Sequence, residues 1–297
     1  MAALRTVVVG VDGSDASRDA LALGQMLGGP NGRLLVVHVH PFGPLSSLIG
    51  AGEYEEVVRT TADSIFTHAR DVLDDATDRE LRLVSKRSPA EGLGSIAADA
   101  GAALVAVGSS RRSRLERVLA GSVAEDLLSG APVPVAVAPR GFADDARVED
   151  ATVGCAYDGS PESEAALRLA TELAGALNAR LRVVSVHQRM PFGGQVSVTA
   201  VGYSSVNDTM RAALQQRLAQ ATSAMPDGVR AEARLLDGDP AEALIGESET
   251  LDVLVTGSRG YGAVRAVLLG SVSRALVRGA ACPVVVSPRP GRTNTDL

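Results

Sequence analysis

The sequence predicts an α/β protein written twice, with helices flanking parallel sheets, and two observations carry that prediction. The first is internal repetition. "RTVVVGVDGSDAS" (5–17) answers to "ATVGCAYDGSPES" (151–163), and "GRLLVVHVH" (32–40) to "ARLRVVSVH" (179–187). "SPAEGL" (88–93) answers to "DPAEAL" (239–244), and "AGSVAEDLLSGAPVPVAVAP" (120–139) to "LGSVSRALVRGAACPVVVSP" (269–288). A duplicated unit of about 145 residues, an ordinary domain size, accounts for the series. The second observation is alternation within each copy, where short Val-rich runs take turns with helical patterns. Strand, helix, strand in that rhythm implies parallel pairing.

In order along the first copy, "TVVVGVD", "LLVVHVH", "LRLVS", "ALVAVG" and "VPVAVA" are nearly continuous apolar runs, as strands covered on both faces require. "SRDALALGQMLGG" has apolar residues at helical spacing and glycines to stop it. Residues 57–73 and 210–221 read as amphipathic helices. "PFGPLSSLIGAGEY" and "QRMPFGGQVSVTAVGYSS" are rich in Gly, Pro and Ser and read as loops leading into those helices. The polar stretch "RGFADDARVED" (140–150) reads as the linker, giving domains over 1–140 and 151–290.

Composition narrows the function. The chain has 297 residues, 45% hydrophobic and 22% charged, the balance of a globular protein. A formal net charge of -6 argues against broad binding to nucleic acid or to anionic membrane. No apolar run approaches the roughly 18 residues of a membrane span. "MAALRTVVVGVDGS" reads as a strand rather than a signal peptide, so the expected location is the cytoplasm. Cys155 and Cys282 lie in different apolar segments and read as buried reduced thiols. Without C-x-x-C or H-E-x-x-H, no metal site is expected.

The chemistry concentrates in "TGSRGYGAVRAVLLGSVS" (256–273). Its frame is Gly257, two residues, Gly260, nine residues, then Gly270–Ser271, running from the end of the fourth strand to the start of the last helix. Glycines allow positive φ and let a ligand approach the amides. Ser271 reads as an N-cap, and amides at a helix start form a site for phosphate. Asp158, and Asp12 in the first copy, end the first strand of each repeat. A carboxylate there accepts from a ribose hydroxyl or from the amides of its own Asp–Gly–Ser turn, and the two roles are compatible.

Both halves resemble universal stress protein domains, on the strength of "VVVGVDGS" and "VGCAYDGS", "GSRGYGAVRAVLLGSVS" and the final "CPVVVSP". The whole is similar to the tandem, two-domain form of that family. The resemblance implies two flavodoxin-like (adenine nucleotide alpha hydrolase-like) domains, each a five-stranded parallel sheet with flanking helices. It also implies ATP, with or without Mg²⁺, as the ligand. Asp158, Gly257, Gly260, Gly270 and Ser271 then form the second site, with Ala156, Tyr157 and Val186 on the adenine side. In the first copy Asp12, Gly108, Gly121 and Ser122 keep the pattern, with Val39 as the counterpart of Val186. Family members often pair through the last strand, which implies a homodimer or an intramolecular pseudo-dimer. "CPVVVSP" suits such an edge, whereas Pro132 and Pro134 restrict hydrogen bonding by "APVPVAVAP".

Arg111 stands in the first copy where the second has Gly260. If the backbone there must be left-handed, a side chain costs about 1–2 kcal/mol, on the order of tenfold in affinity. Arg111, Arg112, Arg114 and Arg117 are either a phosphate-binding cluster or a solvated helix face with Glu116. Three functions stay open: a nucleotide-occupancy sensor acting under stress, a self-associating scaffold, and an enzyme. Against the last, a Walker A loop is missing and the single lysine, Lys86, lies away from both frames. Catalytic residues are therefore not assigned, and at most slow ATP hydrolysis is expected.

Overall fold

The computed structural model describes residues 6–41, 51–74, 77–109, 121–145, 150–188, 200–258 and 269–288. The first half runs β1 (Thr6–Gly10), α1 (Asp15–Gly28), β2 (Arg33–Pro41), α2 (Ala51–Val72), β3 (Asp78–Lys86), α3 (Pro89–Asp99), β4 (Leu104–Gly108), α4 (Ser122–Gly130), β5 (Val135–Ala138). A short helix, α5 (Phe142–Asp145), follows. The second half repeats the series as β6 (Thr152–Ala156), α6 (Pro161–Ala176), β7 (Arg180–His187), α7 (Ala200–Ser223), β8 (Arg230–Asp237), α8 (Pro240–Glu247), β9 (Val253–Gly257), α9 (Ser271–Gly279), β10 (Val284–Ser287). Each expected strand is present. Helix α7 starts ten residues before the 210–221 periodicity, because sequence propensity is a weak signal that tertiary context extends.

All ten strands form one sheet in the order β3-β2-β1-β4-β5-β10-β9-β6-β7-β8. Within each half every pairing is parallel. At the centre β5 and β10 pair antiparallel, with Val284 against Val137 and Val286 against Val135. The contact expected between last strands is therefore made inside one chain. Pro132 and Pro134 do not restrict it, contrary to the expectation, because both precede β5. Pro134 and Pro283 use their carbonyls to accept from Val105 and Leu254, and the strands begin one residue later.

Side chains alternate across the pleat and feed two cores. Val7, Val9, Val153, Cys155 and Val285 point to the face covered by α1, α2, α6 and α7. Val8, Val37, Val105, Leu254 and Val286 point to the face covered by α3, α4, α8 and α9. Each core contains residues of both halves, so the halves are not packed independently. Arg278 of α9 reaches Glu125 of α4 at 2.9 Å and adds an ion pair across the seam. Cys155 and Cys282 are buried free thiols, and burial pushes both pKa values up, so neither is poised as a thiolate. Among the described residues no helix is long and apolar enough to cross a membrane.

The linker segment is anchored rather than loose. Asp19 of α1 is 3% exposed. Its Oδ2 accepts from the amide of Gly141 and its Oδ1 from that of Ala143, each at 2.9 Å. A buried carboxylate is tolerated here because two amides at the start of α5 satisfy it. Asp19→Ala should lower stability by about 2 kcal/mol and open the segment to protease. Denaturant unfolding and limited proteolysis check this, and a variant unchanged in both would refute the anchor.

Candidate functional site

Each half carries a cavity beyond the carboxyl ends of its strands, where parallel sheets place ligands. Because β5 and β10 run antiparallel, the two half-sheets point in opposite directions. The cavities consequently open at opposite edges of the ten-stranded sheet.

The second cavity has a volume of about 590 Å³. Ala156, Tyr157, Asp158, Val186, Gly257, Gly270 and Ser271 all line it. Gly260 lies outside the described residues. The first cavity, about 210 Å³, is lined by Asp12, Val39, Gly108, Gly121 and Ser122. Arg111, Arg112, Arg114, Arg117 and Glu116 also lie outside the described residues.

The Asp–Gly–Ser turns are built alike. Gly13 and Gly159 take φ of 82° and 78°, the left-handed region that glycine enters without a Cβ clash. Asp158 Oδ1 accepts from the Ser160 amide at 2.9 Å, and Asp12 Oδ1 from the Ser14 amide at 3.0 Å. The turn-capping role is thus real in both copies. At Asp12 the same oxygen also takes the Ser14 hydroxyl at 2.5 Å and the Ser17 hydroxyl at 2.7 Å. In the second copy the matching serine, Ser163, gives its hydroxyl to the Ser160 carbonyl at 2.9 Å instead. Burial pushes the Asp12 carboxyl up, but the Ser14 and Ser17 hydroxyls and the Ser14 amide outweigh it and hold it below its ordinary value.

Two glycines of the frame, Gly257 and Gly108, carry a packing role beside the ligand approach their sequence suggests. A Cβ on Gly257 would sit 2.6 Å from the Glu162 carbonyl oxygen, and one on Gly108 would sit 2.0 Å from that of Ala16. These strand-end glycines let the first turns of α6 and α1 pack against β9 and β4. They are required by the fold whether or not a ligand is bound. The N-cap assignment is corrected too. Gly270 and Gly121 are the N-caps of α9 and α4, with Ser271 and Ser122 as the first helical residues. Neither cap offers a side-chain acceptor, because glycine has none. The first-turn amides of α9 therefore face the second cavity without the oxygen that Ser, Thr, Asp or Asn supplies at most helix starts.

The rest of the second wall is apolar, from Val184 and Val186 of β7 and Leu244 of α8, together with Met210 and Leu214 of α7. Met210 and Leu214 are four apart and share a helix face, yet the sequence alone does not say which cavity that face covers. Tyr157 presents its ring to the cavity while its hydroxyl donates to Glu164. Burial and that carboxylate push the phenol up to about 12, so it remains an O–H donor. His187 closes β7, is 3% exposed, and also lines the cavity. Among the described residues no group of three or more His, Cys, Asp or Glu is arranged to hold a metal.

A profile of the Universal stress protein family matches residues 3–139 and again 151–288. This chain belongs to the universal stress protein family. A universal stress protein of Mycobacterium tuberculosis (strain ATCC 25618 / H37Rv) is 32% identical over 295 residues, covering 95% of this chain and 96% of its own. A shorter universal stress protein of Thermus aquaticus is 33% identical over 139 residues, 46% of this chain but 96% of its own. The tandem form is thus shared along its length with one relative, while the other matches a single repeat. Among solved structures, a universal stress protein from Archaeoglobus fulgidus DSM 4304 superposes with a TM-score of 0.67 at 20% identity, covering 96% of this chain and 98% of that one. At that identity the likeness speaks for the fold.

Two outcomes follow from this geometry. Gly257→Ala should cost about 1–3 kcal/mol of stability in the absence of any nucleotide, read by denaturant unfolding. A ligand-only role for that glycine predicts no loss. For Asp12, a depressed folded pKa contributes stability that is present above its ordinary value of 3.8 and is lost as pH falls through the lower folded value. Asp12→Asn should therefore flatten the fall in stability below that pH, and an unchanged acid-unfolding profile would refute the assignment.

Proposed function

We propose that this universal stress protein binds an adenine nucleotide, ATP in the first instance, with the second cavity as the tighter site, and that its occupancy sets the protein's interactions under stress. One observation carries the reading. The uncapped start of α9 opens onto a cavity whose far wall is apolar and whose rim holds Asp158. The first-turn amides of α9 and the positive helix end suit phosphates, Val184 and Val186 suit a base, and the Asp158 carboxylate suits a ribose hydroxyl. Any Mg²⁺ would arrive on the triphosphate. The family resemblance adds the expectation that such a cavity holds ATP.

Several features favour the second site over the first. Its volume of about 590 Å³ lies within the range of small-ligand pockets, whereas about 210 Å³ falls below it. The Ser17 hydroxyl is held on Asp12, whereas its counterpart Ser163 donates to the Ser160 carbonyl. Arg111 replaces the glycine of the frame. The scaffold alternative is weakened by the seam, since β5 and β10 already use their outer edges on one another. The remaining sheet edges carry alternating charges, Arg79, Glu80 and Arg82 on β3 and Arg230, Glu232 and Arg234 on β8, which discourage edge pairing.

The N-cap glycines give a direct test. Gly270 has φ of -60° and ψ of 156°, a conformation open to any residue. In the full-length chain, Gly270→Asp should cap α9 and raise stability by a few tenths of a kcal/mol. The same carboxylate should weaken ATP binding by about 100-fold, by taking the amides and repelling phosphate. Calorimetric titration should show the tighter class of sites removed by Gly270→Asp and retained in Gly121→Asp. The reverse assignment would overturn the proposed order of the two sites.

A further inference from the structure

The second cavity contains a histidine oriented by a carboxylate, and its first-half counterpart is tied off. His187 Nδ1 lies 3.2 Å from Asp237 Oδ1, across the register that pairs these two residues on β7 and β8. Asp237 in turn forms an ion pair with Arg211 of α7. That guanidinium, and then the imidazole, hold the Asp237 carboxyl below its ordinary value, so it is ionised and can only accept. In its neutral form the ring therefore carries its proton on Nδ1, toward that carboxylate, and leaves a lone pair on Nε2. Nε2 is buried and has no hydrogen-bond partner among the described residues. A ring nitrogen shut away from solvent needs a donor, and the cavity that the ring lines is where one can enter.

The first half makes the contrast. His40, in the matching position, has Nε2 2.5 Å from the Tyr54 hydroxyl, and the two rings stack edge to face. Its neighbour in register on β3 is Ser85, where β8 has Asp237. Among the described residues no carboxylate fixes that ring, and its Nε2 is occupied. The His–Asp–Arg arrangement thus belongs to the second cavity.

We propose that His187 is a specificity-determining residue of the second cavity, accepting at Nε2 a hydrogen bond from an N–H or O–H on the nucleoside part of the ligand. The phosphate end is assigned to Gly270 and α9, and the wall shared by His187, Val186, Met210 and Leu214 faces the rest of the ligand. The inference rests on the nucleotide-binding reading above. Two nucleoside groups have the required chemistry, the exocyclic amine of adenine and the ribose hydroxyls. An acceptor built into a closed site rejects an analogue lacking the donor far more strongly than an apolar wall does.

The test uses the full-length chain carrying Gly121→Asp, so that the second cavity is read alone. ATP, ITP, 2′-deoxy-ATP and 3′-deoxy-ATP are titrated by calorimetry. ATP should exceed at least one analogue by about tenfold or more: ITP if the amine is the donor, a deoxynucleotide if a hydroxyl is. His187→Phe should reduce that preference to about twofold or less. Asp237→Asn, at a partly exposed position, should also weaken it, because the ring is then free to change tautomer. A purely structural role would lower affinity for all four nucleotides together and leave the ratio unmoved. Should His187→Phe fail to fold, Asp237→Asn decides by the same ratio. ATP binding with a preference insensitive to both variants overturns this inference alone. No binding of any nucleotide overturns both it and the reading on which it rests.

Discussion

The antiparallel pairing of β5 with β10 is the interaction on which the rest of the molecule depends. It turns two five-stranded parallel sheets into one of ten strands and lets both hydrophobic cores run across the seam. Four-residue strands, Val-Ala-Val-Ala and Val-Val-Val-Ser, are buried throughout, pair on both sides and so expose no edge. The reversal of direction at the seam also sends the two ligand cavities to opposite edges. Covalent linkage keeps the partner strand always at hand, so the pairing does not depend on protein concentration.

Within that frame the two halves have the same scaffold and different sites. Backbone features are common to both: the positive-φ glycine of the Asp–Gly–Ser turn, the strand-end glycine pressed against a helix carbonyl, and the glycine N-cap. Side chains differ. Asp12 is surrounded by serine hydroxyls, His40 is closed by Tyr54, and the first cavity is small. In the second half His187 is oriented by Asp237 and Arg211, and the cavity is larger. A repeated fold can thus preserve packing while its two pockets acquire distinct chemistry.

Much of this was legible in the sequence for identifiable reasons. Val-rich runs bounded by Gly and Pro marked the strands, since residues buried on both faces of a parallel sheet must be apolar. The glycine frame located both cavities, and every described residue assigned to them lies in their walls. The reasons for those residues were less legible. Gly257 and Gly108 looked like ligand-approach glycines, yet a neighbouring helix carbonyl occupies the space a Cβ would need. Ser271 looked like an N-cap, yet the cap falls one residue earlier, because capping depends on backbone dihedrals that adjacent Gly and Ser do not distinguish by sequence.

By itself, then, the sequence determined the duplicated α/β architecture, the strands of each half, and the ends of the strands at which chemistry gathers. Periodicity and glycine spacing encode these locally. Tertiary structure alone decided that the last strands join within one chain, that Asp19 anchors the linker, and that Asp237 and Arg211 meet beside His187. Those partners lie 26 to 151 positions apart in sequence. No local pattern fixes such distances; they are set by strand register and by which helix covers which face.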